Sequence, residues 1–124
     1  MATAHLVSVV DDDESVRESL RGLLRSVGFC VATFASAEAF STSEHLGKTD
    51  CLILDVRMPG MNGPELQRQL SATKHHIPII FITAHASDEV VRSRALKDGA
   101  VAYLTKPFSE AALLEAINAA VTAK

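Results

Sequence analysis

Residues that could carry chemistry stand at the ends of four short apolar runs in this chain. They are Asp11, Asp12 and Asp13 after the first run, Asp55 after the third, Thr83 at the end of the fourth and Lys106 after the fifth. An aspartate carboxylate can attack phosphorus and form an aspartyl phosphate. Carboxylates suit Mg²⁺, and an ammonium or hydroxyl group can neutralise and orient a transferred phosphoryl group. These residue types therefore indicate Mg²⁺-dependent phosphoryl transfer to Asp55.

Each residue alone has a simpler interpretation. An acid triplet ahead of a helix can cap the helix and interact favourably with its dipole. Asp55 could be an ordinary loop acid, and Lys106 followed by Pro107 could form a turn. The functional interpretation depends on the combination, because a motif of several parts is much less often a coincidence than any one of its parts.

The elements that must position these residues follow from five apolar runs with little polar alternation, as expected for strands buried on both faces of a sheet. The predicted strands are Leu6–Val10, Phe29–Phe34, Cys51–Leu54, Pro78–Thr83 and Val101–Thr105. Helix patterns follow each run. The first ends at Gly28, a residue suited to a left-handed cap, and the others are predicted to begin at Ser36, Gly63-Pro64, Ser87 and Ser109.

Strands that alternate with helices predict an α/β fold, (βα)₅, with an open, doubly wound, five-stranded parallel sheet. Ligands bind such sheets at the carboxyl ends of the strands, near the point where the strand order reverses. The acids, the hydroxyl group and the ammonium group are therefore expected to meet at one edge of the sheet.

The composition narrows the function further. A chain of 124 residues with 48% hydrophobic and 22% charged residues predicts a single domain, residues 1–124, with one real core. The net charge of −3 and the lack of a basic stripe argue against direct nucleic-acid binding. No run is long enough to span a membrane, and the start of the chain does not resemble a signal peptide. Cys30 and Cys51 are expected to be reduced core thiols in a cytoplasmic protein.

The motifs around these residues resemble the receiver domain of bacterial two-component response regulators over essentially the whole chain. The matching stretches are Val9–Asp13, Leu52–Gly63, Ile80–Ala84 and Tyr103–Phe108. The runs Asp11–Arg17 and Thr83–Ala86 are similar to those of the FixJ-like subgroup. The resemblance implies a flavodoxin-like topology and a phosphoprotein that acts in phosphorelay signalling.

The resemblance also implies residue roles. Asp55 would be the phosphoacceptor, and Asp12 and Asp55 would bind Mg²⁺ directly with the backbone carbonyl of Arg57, while Asp11 would act through a metal-bound water. Asp13 is expected to be a solvated acid at the start of a helix. Lys106 would contact the phosphoryl group and precede a cis peptide bond to Pro107. Thr83 and Tyr103 would be the switch pair. Arg57 and His85 would influence the access of water to the phosphoryl group.

Partners follow from the same resemblance. A sensor histidine kinase would donate the phosphoryl group, and phosphorylation would change the surface of the fourth helix and fifth strand and favour a homodimer there. Candidate residues for this surface are Val91, Lys97, Val101 and Tyr103, with core packing as the alternative for Val91. A C-terminal DNA-binding effector domain is expected in the full-length protein. The chain is expected not to be an enzyme beyond slow self-phosphorylation and autodephosphorylation.

Two other function classes remain open. A Mg²⁺-dependent phosphohydrolase would use Asp11 and Asp13 as an Asp-X-Asp pair, although this hypothesis leaves Asp55 unexplained. A phosphorylation-independent interaction module could have the same fold, although such modules typically lack an acid, the lysine or the threonine of the site. All of these residues are present here.

Overall fold

The computed structural model describes residues 4–84 and 89–122. Its strands are β1 (Leu6–Val10), β2 (Cys30–Phe34), β3 (Cys51–Asp55), β4 (Ile79–Thr83) and β5 (Ala102–Thr105). Its α-helices are α1 (Glu14–Ser26), α2 (Ala37–Ser41), α3 (Gly63–Ala72), α4 (Glu89–Lys97) and α5 (Glu110–Thr122). A 3₁₀ turn spans Leu46–Lys48. The predicted elements are thus confirmed, with strand boundaries shifted by one residue in four of the five strands.

All strand pairs are parallel, in the order β2-β1-β3-β4-β5. The strand order reverses at β1, between β2 and β3, which puts the switch point beside the carboxyl ends of β1 and β3. The predicted doubly wound sheet is therefore confirmed, and its ligand-binding edge is the edge at which the acids follow the strands.

The core has one layer on each face of the sheet. On one face, α1 and α5 pack Leu20, Leu24, Leu113 and Ile117 against residues such as Val9. On the other face, residues of α2, α3 and α4 pack against β3 and β4, and they include Phe40, Leu66, Leu70 and Ala95. The three central strands are buried from both sides because helices cover both faces.

Burial of the edge strands differs from the prediction. Cys51, on a central strand, is a buried free thiol as predicted, but Cys30 is exposed. The core prediction for Cys30 is wrong because this residue begins β2, which lies at one edge of the sheet. The apolar run alone does not reveal which strands have only one neighbour.

Side-chain caps set several helix boundaries. The hydroxyl groups of Ser36 and Ser109 accept hydrogen bonds from the N–H groups of Ala39 and Ala112, which confirms both predicted caps. Gly28 has a φ of +99° just after α1, which fits its predicted role. The proposed cap Ser87 lies outside the described residues. No helix within the described ranges is long and apolar enough to cross a membrane.

Candidate functional site

Three carboxylates converge at the carboxyl ends of β1 and β3. Val10 and Leu54 are paired in the sheet, so the residues that follow them, Asp11 and Asp55, are neighbours. One carboxylate oxygen from each of Asp11, Asp12 and Asp55 lies within 4.8 Å of the other two. Asp11 is fully buried, Asp55 is 6% exposed, and Asp12 is exposed. Oxygen donors with one open side suit a hard cation that keeps part of its water shell.

Lys106 reaches the same cluster from the end of β5. Its Nζ atom lies 2.9 Å from Oδ2 of Asp11 and 3.8 Å from Oδ1 of Asp55. The Lys106 backbone N–H donates to the carbonyl oxygen of Thr83 at 2.7 Å, which continues the alignment of β4 and β5 beyond the sheet. The peptide bond from Lys106 to Pro107 is cis. The Lys106 ammonium group thus lies close to the carboxylates of both Asp11 and Asp55.

Asp13 has a different place from the two acids before it. It caps α1, where its Oδ1 atom accepts hydrogen bonds from the N–H of Ser15 at 2.9 Å and from the Ser15 hydroxyl group at 2.7 Å. These hydrogen bonds lower the pKa of the Asp13 carboxyl group. The interpretation of Asp13 as an acid at a helix start fits this geometry.

The crowded site changes the acidity of Asp55. Burial, followed by the charge of Asp11, raises the pKa of Asp55 to about 7, although Lys106 acts in the opposite direction. Lys106 carries one positive charge for three carboxylates, so the cluster has an excess of negative charge when all three are ionised. A divalent cation would relieve this repulsion, and the donor set therefore fits Mg²⁺.

Thr83 and Tyr103 lie on neighbouring strands beside the cluster. Thr83 is the last residue of β4 and is buried. Tyr103 on β5 is in register with Phe81, two residues before Thr83, and the Phe81 and Tyr103 ring centroids are 6.1 Å apart. Because side chains alternate along a strand, Thr83 and Phe81 face the same side of the sheet. The Tyr103 hydroxyl oxygen is buried, so this ring is turned inward.

The other predicted surface residues are divided by their exposure. Lys97 is exposed and Val101 is 40% exposed. Val91 is partly buried and packs against the core on the α2–α4 face of the sheet, as the packing alternative predicted. His85 lies outside the described residues.

The loop from Val56 to Asn62, here called the acceptor loop, joins β3 to α3. Its Arg57 is exposed, and the Arg57 backbone N–H donates to the carboxylate of Asp55. Asn62 ends the loop in a capping box with Glu65, in which each side chain accepts the other residue's backbone N–H at 2.9 Å. This cap was not predicted, although Asn followed three residues later by Glu is the pattern that signals it.

A second contact to the acceptor loop was also missed. Glu38, on α2, accepts a hydrogen bond from the Met61 N–H. No local pattern in the sequence signals this contact, because the two residues are 23 positions apart.

Known sequences that are similar to this chain include response regulators. The family model described as "Response regulator receiver domain" matches residues 7–118. Nodulation protein W of Bradyrhizobium diazoefficiens is 48% identical over 96% of this chain and 52% of that protein. TodT, a response regulator protein of Pseudomonas putida, is 47% identical over 95% of this chain and 52% of that protein. The transcriptional regulatory protein FixJ of Rhizobium meliloti is 42% identical over 95% of this chain and 57% of that protein.

The solved structures that superimpose on this chain also include response regulators and their receiver domains. The response regulator StyR superimposes with a TM-score of 0.90 at 51% identity, over 98% of this chain and 61% of that one. FixJ-N superimposes with a TM-score of 0.86 at 39% identity, over 98% of this chain and 96% of that one. The chain spans about half the length of the curated relatives that it matches.

Proposed function

The chain belongs to the response regulator receiver domain family, and from this premise we propose that Asp55 accepts a phosphoryl group from a sensor histidine kinase in a Mg²⁺-dependent reaction. The observation that carries the proposal is the position of the Asp55 carboxylate beside Lys106 and within the cluster of Asp11 and Asp12. In this position, the nucleophilic oxygen of Asp55 lies near the Lys106 ammonium group and near the carboxylates that would bind Mg²⁺. Phosphoryl transfer depends largely on such positioning and charge neutralisation.

The transfer itself is a displacement at phosphorus. A carboxylate oxygen of Asp55 forms the new bond to phosphorus as the bond to the donor imidazole nitrogen breaks, and the imidazole leaves with the electron pair. When bound, Mg²⁺ supplies positive charge at the carboxylates and the phosphoryl oxygens. Asp12, Asp55 and the Arg57 carbonyl would hold the ion directly, and Asp11 would hold it through a water. Lys106 would neutralise another phosphoryl oxygen.

The output of the site would be a population shift. Contacts of the phosphoryl group with Thr83 and Lys106 would favour one of two arrangements of α4 and β5. Tyr103, on β5, would change its orientation in response to the movement of Thr83. The altered surface would comprise α4 and β5, with the exposed residues Lys97 and Val101 as its outer positions, and would support a homodimer. In a full-length protein, this surface would control a C-terminal DNA-binding domain and hence transcription.

We further propose that residues 1–124 form one receiver domain that acts in the cytoplasm. Receiver domains are signalling proteins rather than enzymes, so its chemistry would be limited to slow self-phosphorylation from small donors and slow autodephosphorylation. Asp13 caps α1 through Ser15, so it is poorly placed as the acid partner of a phosphohydrolase. This observation favours the phosphoacceptor over the Asp-X-Asp enzyme.

The decisive experiment is intact mass after incubation with acetyl phosphate, with and without Mg²⁺. We expect one phosphoryl adduct on the wild type only when Mg²⁺ is present. Asp55→Asn should give no stable adduct, whereas Asp13→Asn, the same chemical change at the residue directly after the cluster's Asp12, should be phosphorylated like the wild type. If no adduct forms and a beryllofluoride mimic does not bind, the phosphorylation-independent module is the better explanation.

A further inference from the structure

A carboxylate from outside the acceptor loop holds the middle of that loop. Oε2 of Glu38, on α2, accepts a hydrogen bond from the backbone N–H of Met61 at 2.9 Å. Ala37 and Phe40, on either side of Glu38, are fully buried, so α2 is anchored in the core while Glu38 projects toward the loop. The contact therefore joins a fixed helix to the segment that follows Asp55.

Gly60 leaves the space that the carboxylate occupies. A Cβ atom at this position would lie 2.6 Å from Oε2 of Glu38, closer than van der Waals contact allows. Gly60 also has a φ of +75°, a conformation that side-chain-bearing residues rarely adopt. A Cβ atom at this position would therefore displace the Glu38 carboxylate, which is the flexible end of an exposed side chain, and disrupt its hydrogen bond with Met61.

The two ends of the loop are held by other contacts. A backbone hydrogen bond joins the two ends of the loop, since the Gly63 N–H donates to the carbonyl oxygen of Val56 at 3.0 Å. At the second end, the Asn62–Glu65 capping box fixes the start of α3. These bonds leave residues 57–61 as a bulge, and Glu38 binds near the end of that bulge. At its beginning is Arg57, whose N–H donates to Asp55.

The contact is a charge-assisted hydrogen bond. The N–H of Met61 lowers the pKa of the Glu38 carboxyl group, so Glu38 is ionised at neutral pH. A hydrogen bond to an ionised acceptor is shorter and stronger than one between neutral groups. Glu38 is exposed, so solvent screens its charge, and its effect on the site depends on orientation of the loop rather than on its field.

We propose that Glu38 is a positioning residue for phosphoryl transfer, which holds the acceptor loop so that the Arg57 backbone faces Asp55 and the metal. The inference rests on the proposed function, because it concerns the same site. Partners outside the ligand shell orient metal ligands, and their loss weakens metal binding.

Mg²⁺ affinity measured by amide NMR titration tests this role. Glu38→Ala should raise the Kd for Mg²⁺ about threefold to tenfold, below the usual effect of a partner that touches a ligand directly. Glu38→Gln keeps an acceptor oxygen and should recover most of the affinity. Glu44→Ala, the loss of an exposed acid just after α2, should bind as the wild type does. The Met61 amide should shift in Glu38→Ala, which shows that the hydrogen bond has been removed.

A second pair of variants separates a loop contact from a general loss of stability. Gly60→Ala should weaken Mg²⁺ binding, and the double variant Gly60→Ala/Glu38→Ala should bind better than the sum of the two single effects predicts, because the clash with the carboxylate is gone. Additive effects, or a wild-type Kd in Glu38→Ala, would overturn the role of Glu38. Failure of the wild type itself to bind Mg²⁺ would instead overturn the proposed function.

Discussion

The ammonium group of Lys106 is bound to Asp11, with 2.9 Å between Nζ and Oδ2. Oδ1 of the acceptor Asp55 lies further from the same nitrogen, at 3.8 Å. Asp11 is fully buried, and its other oxygen accepts the Asp13 N–H at 2.8 Å. Lys106 therefore stabilises a buried carboxylate in the unphosphorylated chain, in addition to its proposed contact with the phosphoryl group.

Removal of this ammonium group should destabilise the metal-free protein. We expect Lys106→Ala to lower the free energy of unfolding by about 1–3 kcal/mol, because a buried carboxylate loses its charged partner. Mg²⁺ should recover part of this loss, since it compensates the same carboxylates, while phosphorylation from acetyl phosphate should be weakened. Urea unfolding with and without Mg²⁺ measures the effect, with the exposed Lys48→Ala as control. Equal stability of Lys106→Ala and wild type would contradict the importance of the Asp11 contact.

The acidity of Asp55 should be visible in the pH dependence of stability without metal. The pKa of Asp55 is about 7 in the folded state against an ordinary value of 3.8, so the folded state binds more protons between these values. Its contribution to stability must therefore increase as the pH falls from above 7 toward 4. Asp55→Asn should exceed the wild type in stability by about 1–3 kcal/mol at alkaline pH, and this difference should shrink in acid.

Denaturant unfolding of both proteins between about pH 5 and about pH 8.5 checks this sign. Saturating Mg²⁺ should stabilise the wild type more than Asp55→Asn and reduce the difference between them at alkaline pH. A difference that does not change with pH would show that Asp55 titrates at its ordinary value in the folded protein.

The neighbouring acids Asp12 and Asp13 offer a matched test of the metal site. Asp12→Asn removes a charged oxygen ligand and should weaken Mg²⁺ binding by at least about tenfold. Asp13→Asn makes the same change at the α1 cap, where Asn caps about as well as Asp, and should leave the Mg²⁺ affinity near that of the wild type. The increase in Tm with Mg²⁺ concentration reports both affinities. Equal losses in the two variants would remove Asp12 from the ligand set.

Gly63 and Gly22 differ in the space that is available for an added Cβ atom. A Cβ atom at Gly63 would lie 2.5 Å from the carbonyl oxygen of Asp55 and 3.0 Å from Cε1 of Phe81. Gly63→Ala should therefore cost about 1–3 kcal/mol of stability and weaken Mg²⁺ binding through displacement of Asp55. At Gly22, within α1, no described atom apart from the neighbouring residues and the backbone of the same helix lies within 4 Å of the added Cβ, and Gly22→Ala should stabilise the protein by about 0.5–1 kcal/mol. Thermal unfolding of both variants measures the contrast.

Much of this architecture could be predicted from the sequence because its signals are local. Apolar runs with little polar alternation identified the five strands, and hydroxyl side chains identified Ser36 and Ser109 as caps. The convergence of Asp11, Asp12 and Asp55 also followed, since parallel strands bring their carboxyl ends to one edge. The FixJ-like resemblance was confirmed by the FixJ proteins among the relatives.

Other properties depend on the neighbours that each residue acquires in the folded chain. Cys30 has an apolar sequence context, yet its exposure follows from the edge position of β2. Asp11 and Asp13 are the same residue type two positions apart, but Asp11 contacts Lys106 while Asp13 caps α1 through Ser15. Their roles differ because folding gives the two carboxylates different partners, Lys106 for Asp11 and Ser15 for Asp13.

The sequence by itself thus determined the fold class and which side chains meet at the sheet edge, because hydrophobic periodicity and strand ends are properties of contiguous residues. Only the tertiary structure decided the partner of Lys106, the raised pKa of Asp55 and the bond from Glu38 to Met61. Burial and electrostatic coupling depend on distances between residues far apart in the chain, and these distances are set when the helices and strands pack together.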